Sequence, residues 1–192
     1  MRIFVSSLFI FSMVSGFIFA QGSISDRATG VSFPGSVTVD YNGQDNTLEA
    51  TGVSTRKKFF AKVYSIASYM EKPTSNVGEM DDQIKQLTLI WVRNVSAKKV
   101  QDGYVDSLRD AAGNQYGNLK SDIDRYVGFF SQGVRDRDEH VIRSFPGGKV
   151  EVYINGDLKG TIENPEFAKA LWNVWFGSRS VVKRNDLLKS VR

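Results

Sequence analysis

The sequence predicts an α+β domain built on an antiparallel sheet that helices cover mainly on one face. Three observations point there. Short alternating segments, separated by Asn-Gly and Pro-Gly turns, run in two blocks over 36–93 and 140–162. Two segments of helical periodicity lie between those blocks, and a well-capped apolar helix follows the second. No linker, repeat or low-complexity tract breaks residues 21–192 into further units.

The first twenty residues stand apart. MRIFVSSLFIFSMVSGFIFA has one charge, Arg2, then a long apolar run, then the small Ala20. That is the layout of a secretory leader cleaved after Ala20. A retained anchor is the competing reading, since the run approaches bilayer-spanning length. Ile18, three residues before the cut, fits cleavage least well. Loss of the leader from 192 residues leaves 172, which suits one domain over 21–192 with a real core. It also takes Arg2, so the net charge falls from +4 to +3. Export places the protein in a periplasm or outside the cell. There are no cysteines, so the core alone must hold the fold. Basic pairs such as Lys57-Lys58 and Lys98-Lys99 are scattered and no nucleic-acid motif occurs, which argues against a nucleic-acid partner. Membrane contact is expected through the leader during export.

Taken in order, residues 36–41 (SVTVDY) alternate as a strand, and 46–51 (NTLEAT) are its partner across Asn42-Gly43. Residues 59–70 read as one long strand, 73–82 as a loop and 85–93 (KQLTLIWVR) as a strong strand. Ser96 is a candidate N-cap for a helix to about Ala112, with Val100, Tyr104, Leu108 and Ala111 at helical spacing and Gly113 as its stop. A second helix over 118–131 has Leu119, Ile123, Tyr126, Val127 and Phe130 on one stripe. Strands at 140–145, 148–154 and 157–162 form a meander. Asn164-Pro165-Glu166 then supplies cap, first-turn proline and first-turn acid for a helix whose stripe is Phe167, Leu171, Val174 and Trp175. A short helix over 184–190 closes the chain.

Common catalytic signatures are missing. One histidine, His140, and no cysteine are too few for a His/Cys zinc site, and no phosphate loop or dinucleotide fingerprint implies a cofactor. His140 reads as an ordinary strand-edge residue, and the acids at 81–82 and 136–139 as solvated loops. The stretch 59–70 is less ordinary. Odd positions give a mostly small face suited to packing beneath a helix. Even positions give Phe60, Lys62, Tyr64, Ile66, Ser68 and Met70, and Arg56 joins them if the strand begins that early. Two cations and a phenol among apolar groups suit an amphipathic anion. A lysine that blunts a sheet edge and a buried tyrosine with one hydrogen bond explain the same residues. The last long helix is apolar on nearly every side, with Trp172 and Phe176 off its main stripe. It is either deeply buried or the wall of an apolar cavity.

GVSTRKKFFAKVYSIASYME (52–71) and HVIRSFPGGKVEVYINGDLKGTIENPEFAKALWNVWFG (140–177) resemble the chalcone isomerase-like family in its exported bacterial branch. The first resembles a Gly-x-x-x-Arg, then Phe-x-Lys-Val-Tyr-x-x-x-x-Tyr-Leu/Met pattern; the second resembles the family's meander and closing helix. The resemblance implies an open-faced sandwich, a large antiparallel sheet packed against a layer of helices, with a ligand cleft between them. It implies either fatty-acid binding through an arginine and a tyrosine or chalcone-to-flavanone cyclisation, an intramolecular lyase reaction. In this comparison the family's cleft arginine falls on Arg56, and Lys62 matches a lysine on the same strand as Tyr64. Tyr64 stands where the plant enzymes have threonine, as in the fatty-acid-binding type. The plant enzymes' helper tyrosine falls near Val100, with Tyr104 one turn away, which puts cyclisation in doubt. The expectation is a non-catalytic binder of an amphipathic anion, with its head on Arg56, Lys62 and Tyr64 and its tail on Phe60, Ile66, Trp172 and Phe176. An isomerase using Arg56, Lys62 and Tyr64, or a partner-binding module without a small ligand, are the alternatives.

Overall fold

The alternating segments pair into a seven-stranded antiparallel sheet in a computed structural model that describes residues 22–191. The expected leader, 1–20, lies outside the described residues. A small hairpin comes first, β1 (Ser23–Asp26) and β2 (Val31–Pro34). The main sheet is β3 (Ser36–Tyr41), β4 (Gln44–Lys58), β5 (Ala61–Met70), β6 (Lys85–Trp91), β7 (Glu139–Ser144), β8 (Lys149–Ile154) and β9 (Asp157–Glu163), side by side in chain order. Between β5 and β6 lies α1 (Val77–Asp81); between β6 and β7 lie α2 (Ala97–Ala112) and α3 (Lys120–Gly128). After the sheet come α4 (Pro165–Phe176) and α5 (Arg184–Leu187). This is the α+β open sandwich.

Local chemistry explains the helix ends. The Asn164 side chain accepts hydrogen bonds from the Glu166 and Phe167 amides at 3.0 and 3.2 Å, with Pro165 at the first turn. Gly113 ends α2 with φ 53°, a conformation that disfavours side chains. Ser96 occupies the N-cap of α2, yet its side chain makes no capping bond.

Helices α2, α3 and α4 cover one face. Ile66, Leu87, Leu89, Ile142 and Val152 of the sheet meet Leu108, Ile123, Phe167 and Leu171 there. On the other face Leu48, Ala67, Tyr69 and Phe145 pack with Val31 and Phe33 of the first hairpin. The small face of β5 therefore lies under this hairpin, not under a helix. Its small residues let the hairpin approach: Ser65 and Thr55 donate to the Asp26 carboxylate at 2.6 and 2.5 Å.

Several expectations change. The segment read as a loop over 73–82 carries the short helix α1, and the strand read over 46–51 extends from Gln44 to Lys58. The strand read as 59–70 begins at Ala61, because Phe59 and Phe60 form a tight turn after Lys58, with φ 56° at Phe59. Arg56 sits on β4, yet it is the register partner of Tyr64. Lys57 then partners Lys62, so Val63 is the extra residue of a β-bulge. His140, read as a strand-edge residue, is fully buried on β7 in the middle of the sheet.

Candidate functional site

A cavity of about 560 Å³ opens between the sheet and the helices. Its floor comes from the β4–β5 hairpin, through Arg56, Ala61, Val63 and Tyr64, and from Trp91 at the end of β6. Its roof comes from α2 and its N-cap, through Ser96, Val100, Tyr104 and Ser107, and from Val174 and Trp175 of α4. Lys58, Arg93 and Lys99 also stand on its wall. The size suits a small amphipathic molecule.

Cross-strand pairing brings the polar pair together. Residues directly opposite on antiparallel strands share a face, so Arg56 and Tyr64 are neighbours although they lie on different strands. Tyr64 is 7% exposed. The Trp175 indole N–H donates to its Oη at 3.0 Å, which leaves the tyrosine's own O–H free to donate into the cavity. Burial pushes the phenol up to about 12, against the opposing effects of the Trp175 hydrogen bond and the Arg56 charge. Tyr64 is therefore a neutral donor at ordinary pH. Arg56 is half-buried, and its Nη1 donates to the Val181 carbonyl at 2.7 Å. Among the described residues no carboxylate forms an ion pair with it. Its remaining N–H groups can serve an anion.

A ring cluster backs the cavity. Trp91 meets Tyr64 edge-on at 5.4 Å and His140 at 5.4 Å, and Tyr104 stacks on Phe130 at 4.5 Å. The Trp91 indole N–H and both His140 nitrogens are buried without a hydrogen-bond partner, and the buried hydroxyls of Tyr104 and Tyr126 lie next to each other. Burial pushes the Tyr104 hydroxyl well above its ordinary value and lowers His140 to about 4. His140 is thus a neutral imidazole in the core. Among the described residues no cluster of His, Asp or Glu could hold a metal ion.

The other expected contacts lie elsewhere. Lys62 points to the opposite face, where its ammonium donates to the Ala28 carbonyl, because the bulge at Val63 reverses the alternation. Phe60 is in solvent at the hairpin tip. Ile66 is sealed in the core. Trp172 stacks on Phe176 at 5.7 Å and lies under the Lys85 ammonium at 4.7 Å, away from the cavity. The α4 residues on the cavity wall are Val174 and Trp175. Sequence reasoning put Trp175 on the core stripe. Trp91 and Val63 fall in segments that the sequence marks as strands, without a role, and Val95 lies just beyond the 85–93 strand; the apolar run of 85–93 is the one available signal for Trp91.

The family model described as chalcone isomerase-like matches residues 25–190. The chain belongs to the chalcone isomerase-like family. Thirty-eight solved chains match it. One is a fatty-acid binding protein of Arabidopsis thaliana, at TM-score 0.72 and 18% identity over 87% of this chain and 96% of the other. At that identity the likeness speaks for the fold. No curated protein sequence matches. In this chalcone isomerase-like protein the cavity sits between sheet and helices, and Arg56 and Tyr64 share its floor.

Proposed function

We propose that this protein binds a small amphipathic anion, such as a fatty acid, without transforming it. The observation that carries this reading is the Arg56–Tyr64 pair, a guanidinium without a carboxylate partner beside a phenol with a free proton, on the wall of an apolar cavity. The carboxylate would take Arg56 N–H groups and the Tyr64 O–H. The chain would lie along Val63, Trp91, Val100 and Val174. The structural neighbour named as a fatty-acid binding protein supports the same class of ligand. A ligand-free partner-binding module would be expected to show a collapsed cleft with Arg56 tied to an internal acid, and neither is found among the described residues. The leader-like residues 1–20 support action in a periplasm or outside the cell, in an exported bacterial setting, which N-terminal sequencing of the purified protein would test.

Delipidated protein should bind laurate by calorimetry. Arg56→Ala should weaken binding by at least about tenfold, since a charge-assisted hydrogen bond contributes roughly 1.5–3 kcal/mol. Tyr64→Phe should weaken it by a smaller factor. Absence of measurable heat with laurate and longer fatty acids would remove the reading. Native mass spectrometry of protein from its own host should show a co-purified acid.

One observation favours the isomerase alternative: Tyr104 places a second buried phenol on the wall of the cavity that Arg56 and Tyr64 line. Chalcone turnover above the spontaneous rate, abolished by Arg56→Ala, would establish it. No turnover across several chalcones would leave binding alone.

A further inference from the structure

The β4–β5 hairpin tip has a composition that its geometry does not ask for. Phe59 is 90% exposed and Phe60 104% exposed; among the described residues Leu158 is the other large exposed hydrophobic. The two form the turn between the paired residues Lys58 and Ala61. Phe59 has φ 56°, in the left-handed region that bulky side chains avoid. At two other hairpins the chain meets positive φ with Asn-Gly, at Asn42-Gly43 and Asn155-Gly156. Turn chemistry therefore does not call for phenylalanine here, and neither ring is buried in the core.

The surroundings supply a sign of charge. Lys57 and Lys58 are exposed beside the tip, and Lys62, also exposed, turns its ammonium to the Ala28 carbonyl on the other face. None of them forms an ion pair among the described residues. The tip is also the rim of the cavity: Phe59 and Lys58 stand on its wall, with Arg93 and Lys99 on the same wall. The acid there, Asp102, is paired with Lys98 at 2.7 Å.

Two exposed rings next to Lys57 and Lys58 fit the boundary of an anionic bilayer, with the rings among the acyl chains and the ammonium groups on the lipid phosphates. A pocket on a protein partner would take the rings, but nothing in it would call for unpaired lysines beside them. We propose that the Phe59–Phe60 tip docks the cavity mouth onto an anionic lipid bilayer. Docking stands on the tip itself. Its use, passage of an amphipathic molecule between bilayer and cavity without crossing bulk water, rests on the binding function proposed above. Membrane contact then extends beyond any export leader.

The test uses delipidated full chain and vesicles free of fatty acid, so that failure of fatty-acid binding and failure of docking are read separately. The native tryptophans are buried, so Phe60→Trp places a reporter at the tip that does not respond to a membrane-bound N-terminus. Its emission should shift to the blue and be quenched by brominated lipid in phosphatidylcholine–phosphatidylglycerol vesicles. Pure phosphatidylcholine should give no shift, and about 1 M salt should abolish it. Phe59→Asn with Phe60→Gly, the pair used at the other turns, should lower vesicle affinity at least about tenfold while leaving the melting temperature equal or higher. Lys57→Glu with Lys58→Glu should do the same. No spectral shift with anionic vesicles would overturn the proposal. So would unchanged vesicle binding in the Asn-Gly variant, or a tip signal that tracks protein concentration and marks self-association.

Discussion

Tyr64 shows how one side chain acquires its role. Its indole partner Trp175 takes the oxygen's acceptor site, and burial keeps the phenol protonated. Trp175→Phe should remove that orientation, at about 1 kcal/mol in stability, and weaken laurate binding several-fold. Calorimetry and urea titration together would separate the two effects. His140 gives a pH signature. Burial holds it to about 4, opposed by the Asp138 charge, against an ordinary 6.5. Below about pH 6.5 the unfolded chain takes up a proton that the folded chain refuses. Stability is then complete above that pH and falls as pH drops towards 4, by up to about 3 kcal/mol. Urea midpoints at about pH 7.5 and about pH 4.5 should show the loss, and His140→Phe should flatten it. Asp26 acts in a lower window. Burial would raise its carboxyl, but hydrogen bonds from Ser65, Thr55 and the Ala28 and Thr29 segment hold it below its ordinary 3.8. Its contribution is present above 3.8 and is lost as pH falls further.

At the scale of elements, the β4–β5 hairpin decides the site. A turn at Phe59–Phe60 and a bulge at Val63 put Arg56 opposite Tyr64 and send Lys62 to the far face. The turn stores backbone strain at Phe59. Phe59→Asn should raise stability by about 1 kcal/mol, or about 2–4 °C in melting temperature for a chain of this size, by calorimetric scan. The reading of 59–70 as one strand failed for a definite reason: no Gly, Pro, Asn or Asp marks the turn, and the aromatic pair resembles strand composition. In α4 the cap and the proline made the start legible. Its stripe of Phe167, Leu171, Val174 and Trp175 was legible too, but a helix that is apolar on nearly every side does not show which of its apolar residues reach a cavity. The structure turns Trp175 to the cavity and Trp172 to Lys85.

Across the whole molecule, the C-terminal segment ties the core to the site. Thr51 donates to the Leu187 carbonyl at 2.7 Å, and Val181 on the same segment holds Arg56. Gly52 lies against this segment, where a methyl group would overlap the Asp186 carbonyl oxygen. Gly52→Ala should cost about 1–3 kcal/mol by overpacking and weaken laurate binding through the displaced Val181, although Gly52 itself is not on the cavity wall. Comparing the variant's laurate affinity with its urea midpoint would check the coupling.

The sequence by itself determined the α+β class, the order of the seven main strands and of helices α2 to α5, and the placing of Arg56 and Tyr64 as residues of interest. Those follow from period-two and period-3.6 patterns, from caps and from a family pattern written in consecutive residues. The first hairpin, the face each side chain takes, the central place of His140 and the partnership of Trp175 with Tyr64 were decided by tertiary structure. One bulged residue reverses alternation without leaving a mark in composition. Pairing between β6 and β7 joins segments separated by two helices, so neither the burial of His140 nor the closing of the cavity could be read from its neighbours in the chain.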